Sequence, residues 1–164
     1  MRTHRCSHGS TRERAPCWRR WQPRRRISSA GRSSRRQAHE TAIHRVDAEQ
    51  AGGEVTGFGP DFAADGIDEV LAAFILRPSR GPRSATPSSV AFAPTDHDGR
   101  WTVHYDHETV RPVRAMDNPD VTVSGMASDL YMWAWNRLDR DAVTIDGDIS
   151  VIDNWRETIH VRRG

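Results

Sequence analysis

Glu40 and His44 stand four residues apart in a stretch, residues 36–50, built from good helix formers with no Gly or Pro. On a helix that spacing sets a carboxylate and an imidazole on one face, one turn apart. Zinc accepts this combination, with His nitrogen and Glu oxygen at about 2.0–2.2 Å. The same pair is also a common feature of solvated helix surfaces, so spacing alone does not separate ligand from surface pair. Asp47 lies three residues beyond His44. It is either a surface charge or a carboxylate placed to orient the second ring nitrogen of His44.

The elements that must position these groups follow from periodicity. Ala38, Ala42, Ile43 and Val46 form the apolar stripe of the first helix, and Gly52-Gly53 ends it. Residues 54–60 read as a linker. Asp61 or Asp65 opens a second helix around Ile67, Val70, Leu71 and Phe74. Pro78, Gly81, Pro82 and Pro87 then mark a loop. Strands are predicted at 89–93, 101–106, 109–114, 121–123 and 143–145, with Asp96-His97-Asp98-Gly99 as a hairpin turn between the first two. Ser124 is placed to cap a helix over 126–138, whose Ala127, Leu130, Tyr131, Ala134 and Leu138 share a face. A last helix spans 149–159. This order predicts an α+β fold, a mostly antiparallel sheet with helices on one face.

Charge divides the chain. Residues 1–36 hold twelve of the 24 Arg and a single acidic residue, Glu13, whereas residues 37–164 hold the other twelve Arg against 21 Asp and Glu. There is no Lys. Residues 1–34 show neither helical nor strand period and are expected to be disordered. Such Arg- and Ser-rich sequence is what a GC-rich gene yields when read out of frame or from a wrong start. That reading outweighs a solvated tail, an organelle transit peptide or a nucleic-acid arm built on Arg24-Arg25-Arg26. The acidic body should not bind nucleic acid by bulk charge. Both cysteines, Cys6 and Cys17, lie in the tail, which excludes a disulfide framework or Cys-based metal site in the body and fits a reducing cytoplasm. No apolar run approaches the roughly 20 residues needed to span a bilayer, so no membrane partner is expected. No Gly-rich phosphate loop or Ser-His-Asp pattern is present. His104 and His107 fall on opposite faces of a strand and do not share a metal; Trp133 and Trp135 lie off the main helix stripe, where they either pack on a neighbour or line a cavity.

The stretch from His39 to Glu49, HETAIHRVDAE, resembles the last helix of the DinB-like metal-binding domain in the mycothiol-dependent maleylpyruvate isomerase family, common in actinobacteria. ADGIDEVL at 64–71, GMASDLYMWAWNR at 125–137 and TIDGD at 144–148 resemble the same family's C-terminal domain, which is sterol-carrier-like. The resemblance covers about residues 35–160. It implies three segments: a tail over 1–34, one leftover bundle helix over 35–52, and a C-terminal α+β domain over 60–164. It implies Glu40 and His44 as two of three ligands to a divalent metal, zinc first, with the third ligand a His from an earlier helix of the bundle. It implies mycothiol as thiol cosubstrate, a small organic acid as substrate, and Arg137 as the catalytic Arg, although the Gly usual before that Arg is Asn136 here. The chain then reads as an N-terminally truncated or frameshifted fragment of an isomerase or transferase, inactive by itself, with the bundle helix's apolar stripe left exposed. The alternative is a non-catalytic small-ligand or protein-binding module formed by the C-terminal domain.

Overall fold

The computed structural model describes residues 29–77 and 79–159. The elements run α1 (Ser29–Gly52), α2 (Pro60–Glu69), β1 (Ser88–Pro94), β2 (Trp101–Tyr105), β3 (Val110–Val113), β4 (Val121–Gly125), α3 (Ala127–Ala134), β5 (Thr144–Gly147) and α4 (Ile149–Thr158), with a π-helical turn over Val70–Phe74 continuing α2. The fold is α+β, as expected. Of the region read as a disordered tail, residues 1–28 lie outside the described residues, while 29–34 are the first turns of α1.

The sheet order is β3-β2-β1-β4-β5. Three neighbouring pairs are antiparallel and β1 pairs with β4 in parallel. The expected hairpin joins β1 to β2, with Phe92 opposite Trp101 and Val90 opposite Val103. The parallel pair requires the chain to travel from β3, at one edge, across β2 and β1. A crossover of this kind usually contains a helix. Here residues 114–120 make it as a strap over the sheet face that carries small and polar side chains. Thr102 Oγ1 donates to the Ala115 carbonyl, His104 meets Asp117 at 3.0 Å, and Ser89 Oγ donates to Asp120 Oδ2 at 2.7 Å.

The other face carries Val90, Phe92, Trp101, Val103, Tyr105, Val121 and Val123, all buried. Period-two alternation delivers them there, and α3 and α4 cover them. Phe92 sits between Trp133 of α3 and Trp155 of α4, with ring centroids at 5.8 and 5.7 Å. Trp133 and Trp135 are therefore packed on neighbouring elements, although neither indole N–H has a partner among the described residues. Gly147 turns the chain from β5 into α4 at φ +118, and a Cβ there would collide with the Asp120 carbonyl.

Two helix ends depart from expectation. Ser124 does not cap α3; Asp96, from the β1–β2 turn, accepts from the Ala127 amide at 2.7 Å. A cap supplied by a loop distant in sequence leaves no local signature. The helix also stops at Ala134, short of 138, because Asn136 adopts φ +60. The Asn136 amide then donates to the Trp133 carbonyl and the Arg137 amide to that of Met132, the bonding of a Schellman ending. Gly is usual at such a position, and Asn is the side chain that best tolerates it.

Candidate functional site

α1 lies across α2 and α3, and polar side chains set its position. At its N-terminal half Arg35 reaches Asp65, Glu69 and Asp68 at 2.9, 2.7 and 3.2 Å. One turn on, His39 is 1 % exposed, with Nε2 3.0 Å from Asp65 Oδ2 and Nδ1 3.1 Å from the Tyr131 hydroxyl. The His39 hydrogen bond, followed by the Arg35 guanidinium, holds the Asp65 carboxyl well below the usual carboxylate range despite opposition from burial. Ile43 and Val46 complete the docked face and are buried. The expected exposure of the apolar stripe is thus corrected: the C-terminal domain covers it. Ala38 faces solvent, and His39 takes the place assigned to it.

At the other end Asp47 grips Arg137. Its Oδ1 lies 2.8 Å from Nε and its Oδ2 2.9 Å from Nη2, a side-on bidentate pair. Nη1 donates to the Trp135 carbonyl at 2.7 Å, and Gln50 Nε2 donates to the carbonyl of Arg137 itself at 2.8 Å. The Arg137 side chain is 3 % exposed and that of Asp47 20 %. The Arg137 hydrogen bond is the main cause of a lowered Asp47 carboxyl pKa. The linker is tied down as well: Thr56 N donates to Glu49 Oε2, Phe58 N donates to Ser128 Oγ, and Arg45 lies over the Phe58 ring at 4.5 Å.

Between these anchors lie the two residues singled out first. Glu40 and His44 both face away from the domain, with side chains 43 and 72 % exposed. Glu40 pairs with Arg36 at 2.6 Å, and His44 Nδ1 stands 3.6 Å from Asp47 Oδ2. That gap is longer than a hydrogen bond, whereas both Asp47 oxygens accept from Arg137. His44 and Arg137 therefore meet through one carboxylate, whereas Glu40 stands a turn away. As a donor set, one carboxylate and one imidazole on a single helix turn fit half of a tetrahedral zinc site. Among the described residues no group of three His, Cys, Asp or Glu is placed to hold a metal ion.

A concavity lies on the other side of α2. A cleft of about 480 Å³ opens between α2, the β1–β2 turn and the end of β3, lined by Asp61, Asp65, Asp68, His97, Arg100 and Arg114 among others. Asp68 at its floor accepts from Trp101 Nε1 at 3.1 Å and from Arg114. The overlooked residues had one legible signal: His39, Ile43, Val46 and Gln50 share a helical face, and a polar residue within such a face calls for buried partners.

A family profile described as MDMPI C-terminal domain matches residues 61–153. No curated protein matches the chain. Among solved structures it is similar to sterol carrier protein 2 like 2 from Aedes aegypti, at 19 % identity over 62 % of this chain and 100 % of that one, with a TM-score of 0.45. It is similar to the ubiquinone synthesis protein UbiJ-SCP2 at 20 % identity, over 63 % of this chain and 93 % of that one, with a TM-score of 0.40. It is also similar to the stereoselective inverting sec-alkylsulfatase Pisa1 from Pseudomonas sp., at 16 % identity and a TM-score of 0.39. That match takes in 61 % of this chain but only 15 % of the sulfatase. Because the matched profile takes in α2, the whole sheet, α3 and the start of α4, more than half of the sequence, the chain belongs to the MDMPI C-terminal domain family.

Proposed function

We propose that this chain is the C-terminal part of a mycothiol-dependent, divalent-metal isomerase or transferase acting on a small organic acid, in the cytoplasm. The observation that carries the reading is the Asp47–Arg137 pair. It joins residues ninety positions apart and ties α1, which carries Glu40 and His44 on its outer side, to the one Arg that the family resemblance singles out. Glu40 and His44 are two ligands of the metal, and the third comes from outside the described residues. A metal there would lower the pKa of a bound thiol. With two ligands, residues 29–159 hold the ion too loosely to catalyse by themselves. Arg137 supplies the positive charge for the acid substrate. Asp65, His39 and Arg35 keep α1 from rotating, so the ligand face stays turned outward.

Equilibrium dialysis of the full chain against zinc tests the metal assignment. Weak binding that falls by about tenfold in both Glu40→Ala and His44→Ala, or about 1.4 kcal/mol each, is expected. Zinc uptake unchanged in both variants sinks it. A second reading is a non-catalytic small-ligand or protein-binding module. The cleft beside Asp68, distant from α1's outer face, favours it. It predicts a cooperative thermal transition of the full chain that neither zinc nor a chelator shifts.

A further inference from the structure

The cleft beside α2 has walls of opposite character. Asp61, Asp65 and Asp68 recur at helical spacing along one face of α2. Facing them are His97 and Arg100 of the β1–β2 turn and Arg114 just after β3. Asp98, exposed at the tip of the turn, adds one more carboxylate. The floor is closed: Asp68 accepts from Trp101 Nε1, from Nε and Nη2 of Arg114 and, at 3.2 Å, from Arg35. These bonds join α1, α2, β2 and the strap, so the cavity is formed before a ligand arrives.

The turn is fixed as well. The Gly99 amide donates to His97 Nδ1 at 2.8 Å, which places the ring proton on Nε2. Nε2 stands 3.7 Å from Asp61 Oδ1, a donor and an acceptor facing each other beyond hydrogen-bond reach. Arg100 Nη1 donates to the His97 and Gly99 carbonyls at 2.8 and 2.7 Å, which holds that guanidinium on the wall. A metal on His97 Nε2 would force a proton onto Nδ1, against the Gly99 amide, so the chemistry here is that of an organic ligand. With the Asp68–Arg114 pair set aside, the walls present Asp61, Asp65 and Asp98 against Arg100 and the His97 N–H. Arg35 and His39 both meet Asp65 at Oδ2, which leaves Oδ1 for a ligand.

We propose that this cleft binds a small zwitterion of net positive charge, an amino acid with a cationic side chain, its cationic groups against Asp61 and Asp65 and its carboxylate against His97 Nε2–H and Arg100. The volume of about 480 Å³ is that of a small-molecule site. A simple anion would face the acidic wall, and a simple cation would leave the donors of the turn unused; opposite charges on one ligand satisfy both and fix its orientation. The inference rests on the small-ligand reading, to which it gives a ligand class, and involves none of Glu40, His44 and Arg137.

The test titrates L-arginine into the full chain at fixed ionic strength with EDTA present. NMR follows the Gly99 amide and the Trp101 Nε1–H, two protons whose acceptors line the cleft. Both signals should move and saturate together. Agmatine, which is arginine without its carboxylate, should bind at least about tenfold more weakly. Asp61→Asn should weaken arginine binding by about tenfold, and Arg100→Gln should remove the advantage of arginine over agmatine. Fixed signals, equal affinity for the two probes, undiminished binding to Asp61→Asn, or an advantage that survives Arg100→Gln would each overturn the proposal. If Arg100→Gln loses its cooperative melt, the two probes on the unaltered chain and the exposed Asp61→Asn decide. A thermal transition shifted by zinc removes the small-ligand reading itself, whereas fixed signals with an unshifted transition remove only the ligand class.

Discussion

The two helical interfaces of this protein are built from opposite chemistry. Where α3 and α4 meet the sheet, the contact is Phe92, Trp133, Trp155, Tyr105 and valines, all buried. Where α1 meets α2 and α3, the contact is Arg35, His39, Asp47 and Gln50, with Ile43 and Val46 between them. The first interface gains its stability from area removed from water, about 1.5–3 kcal/mol for each large side chain. It is non-directional and makes no demand on charge. The second gains little from area and much from direction, since each bond is made at one rotation and one register of the helix. Apolar packing holds elements together; the polar contacts here decide which face of α1 points outward.

The largest expected effect belongs to the apolar interface. Phe92→Ala should cost about 3–5 kcal/mol, seen as a lower urea midpoint for the whole protein. A loss confined to one helix would contradict the single core implied by Phe92's position between two helices. Next comes the polar interface, where the two halves of one pair should differ. Asp47→Ala strands a buried guanidinium and should cost about 3 kcal/mol. Arg137→Ala leaves a carboxylate that water can reach and should cost about 1–2 kcal/mol. Equal losses in urea melts would mean that the two partners are equally buried in solution.

Acid separates the interfaces without mutation. Asp65 and Asp47 both have carboxyls lowered in the folded state, the first chiefly by His39 and the second chiefly by Arg137. A lowered folded pKa stabilises fully above the unfolded value of about 4, and that stabilisation disappears as pH falls through the folded values. Hydrogen-exchange protection of the α1 amides should therefore be lost below about pH 4, ahead of that of the β1 and β4 amides. Simultaneous loss would show that α1 and the core unfold as one unit. The smallest effects lie at the ends of α3. Asp96→Ala should cost about 1 kcal/mol through the lost cap. Asn136→Ala should cost about 1–2 kcal/mol through the left-handed backbone, and Asn136→Gly should be nearly neutral, as thermal melts would show.

Much of this was legible in advance. The strand positions, the β1–β2 hairpin and the α+β class follow from period-two runs broken by turn residues, and all appear in the structure. The family-like motifs at 64–71, 125–137 and 144–148 lie where the profile matches, over residues 61–153, and the stretch from His39 to Glu49 lies outside that match. Less legible was anything that depends on partners far away in sequence. Asp96 caps a helix that begins thirty-one residues later. His39 opens the HETAIHRVDAE motif in sequence and is a buried hydrogen-bonding hub in the fold. Asp47 reads locally as a surface charge or a partner of His44, yet its main partner is Arg137.

By itself the sequence determined the elements, the family and the pairing of Glu40 with His44 on one face, because helical and strand periods and turn chemistry act over a few residues and are written locally. Only the tertiary structure decided that α1 docks on the C-terminal domain, that Glu40 and His44 turn outward and that Arg137 pairs with Asp47. Each of these depends on which charges lose their water together. A charge on an isolated helix has no way of showing whether it will meet solvent or a buried partner until the chain has folded around it.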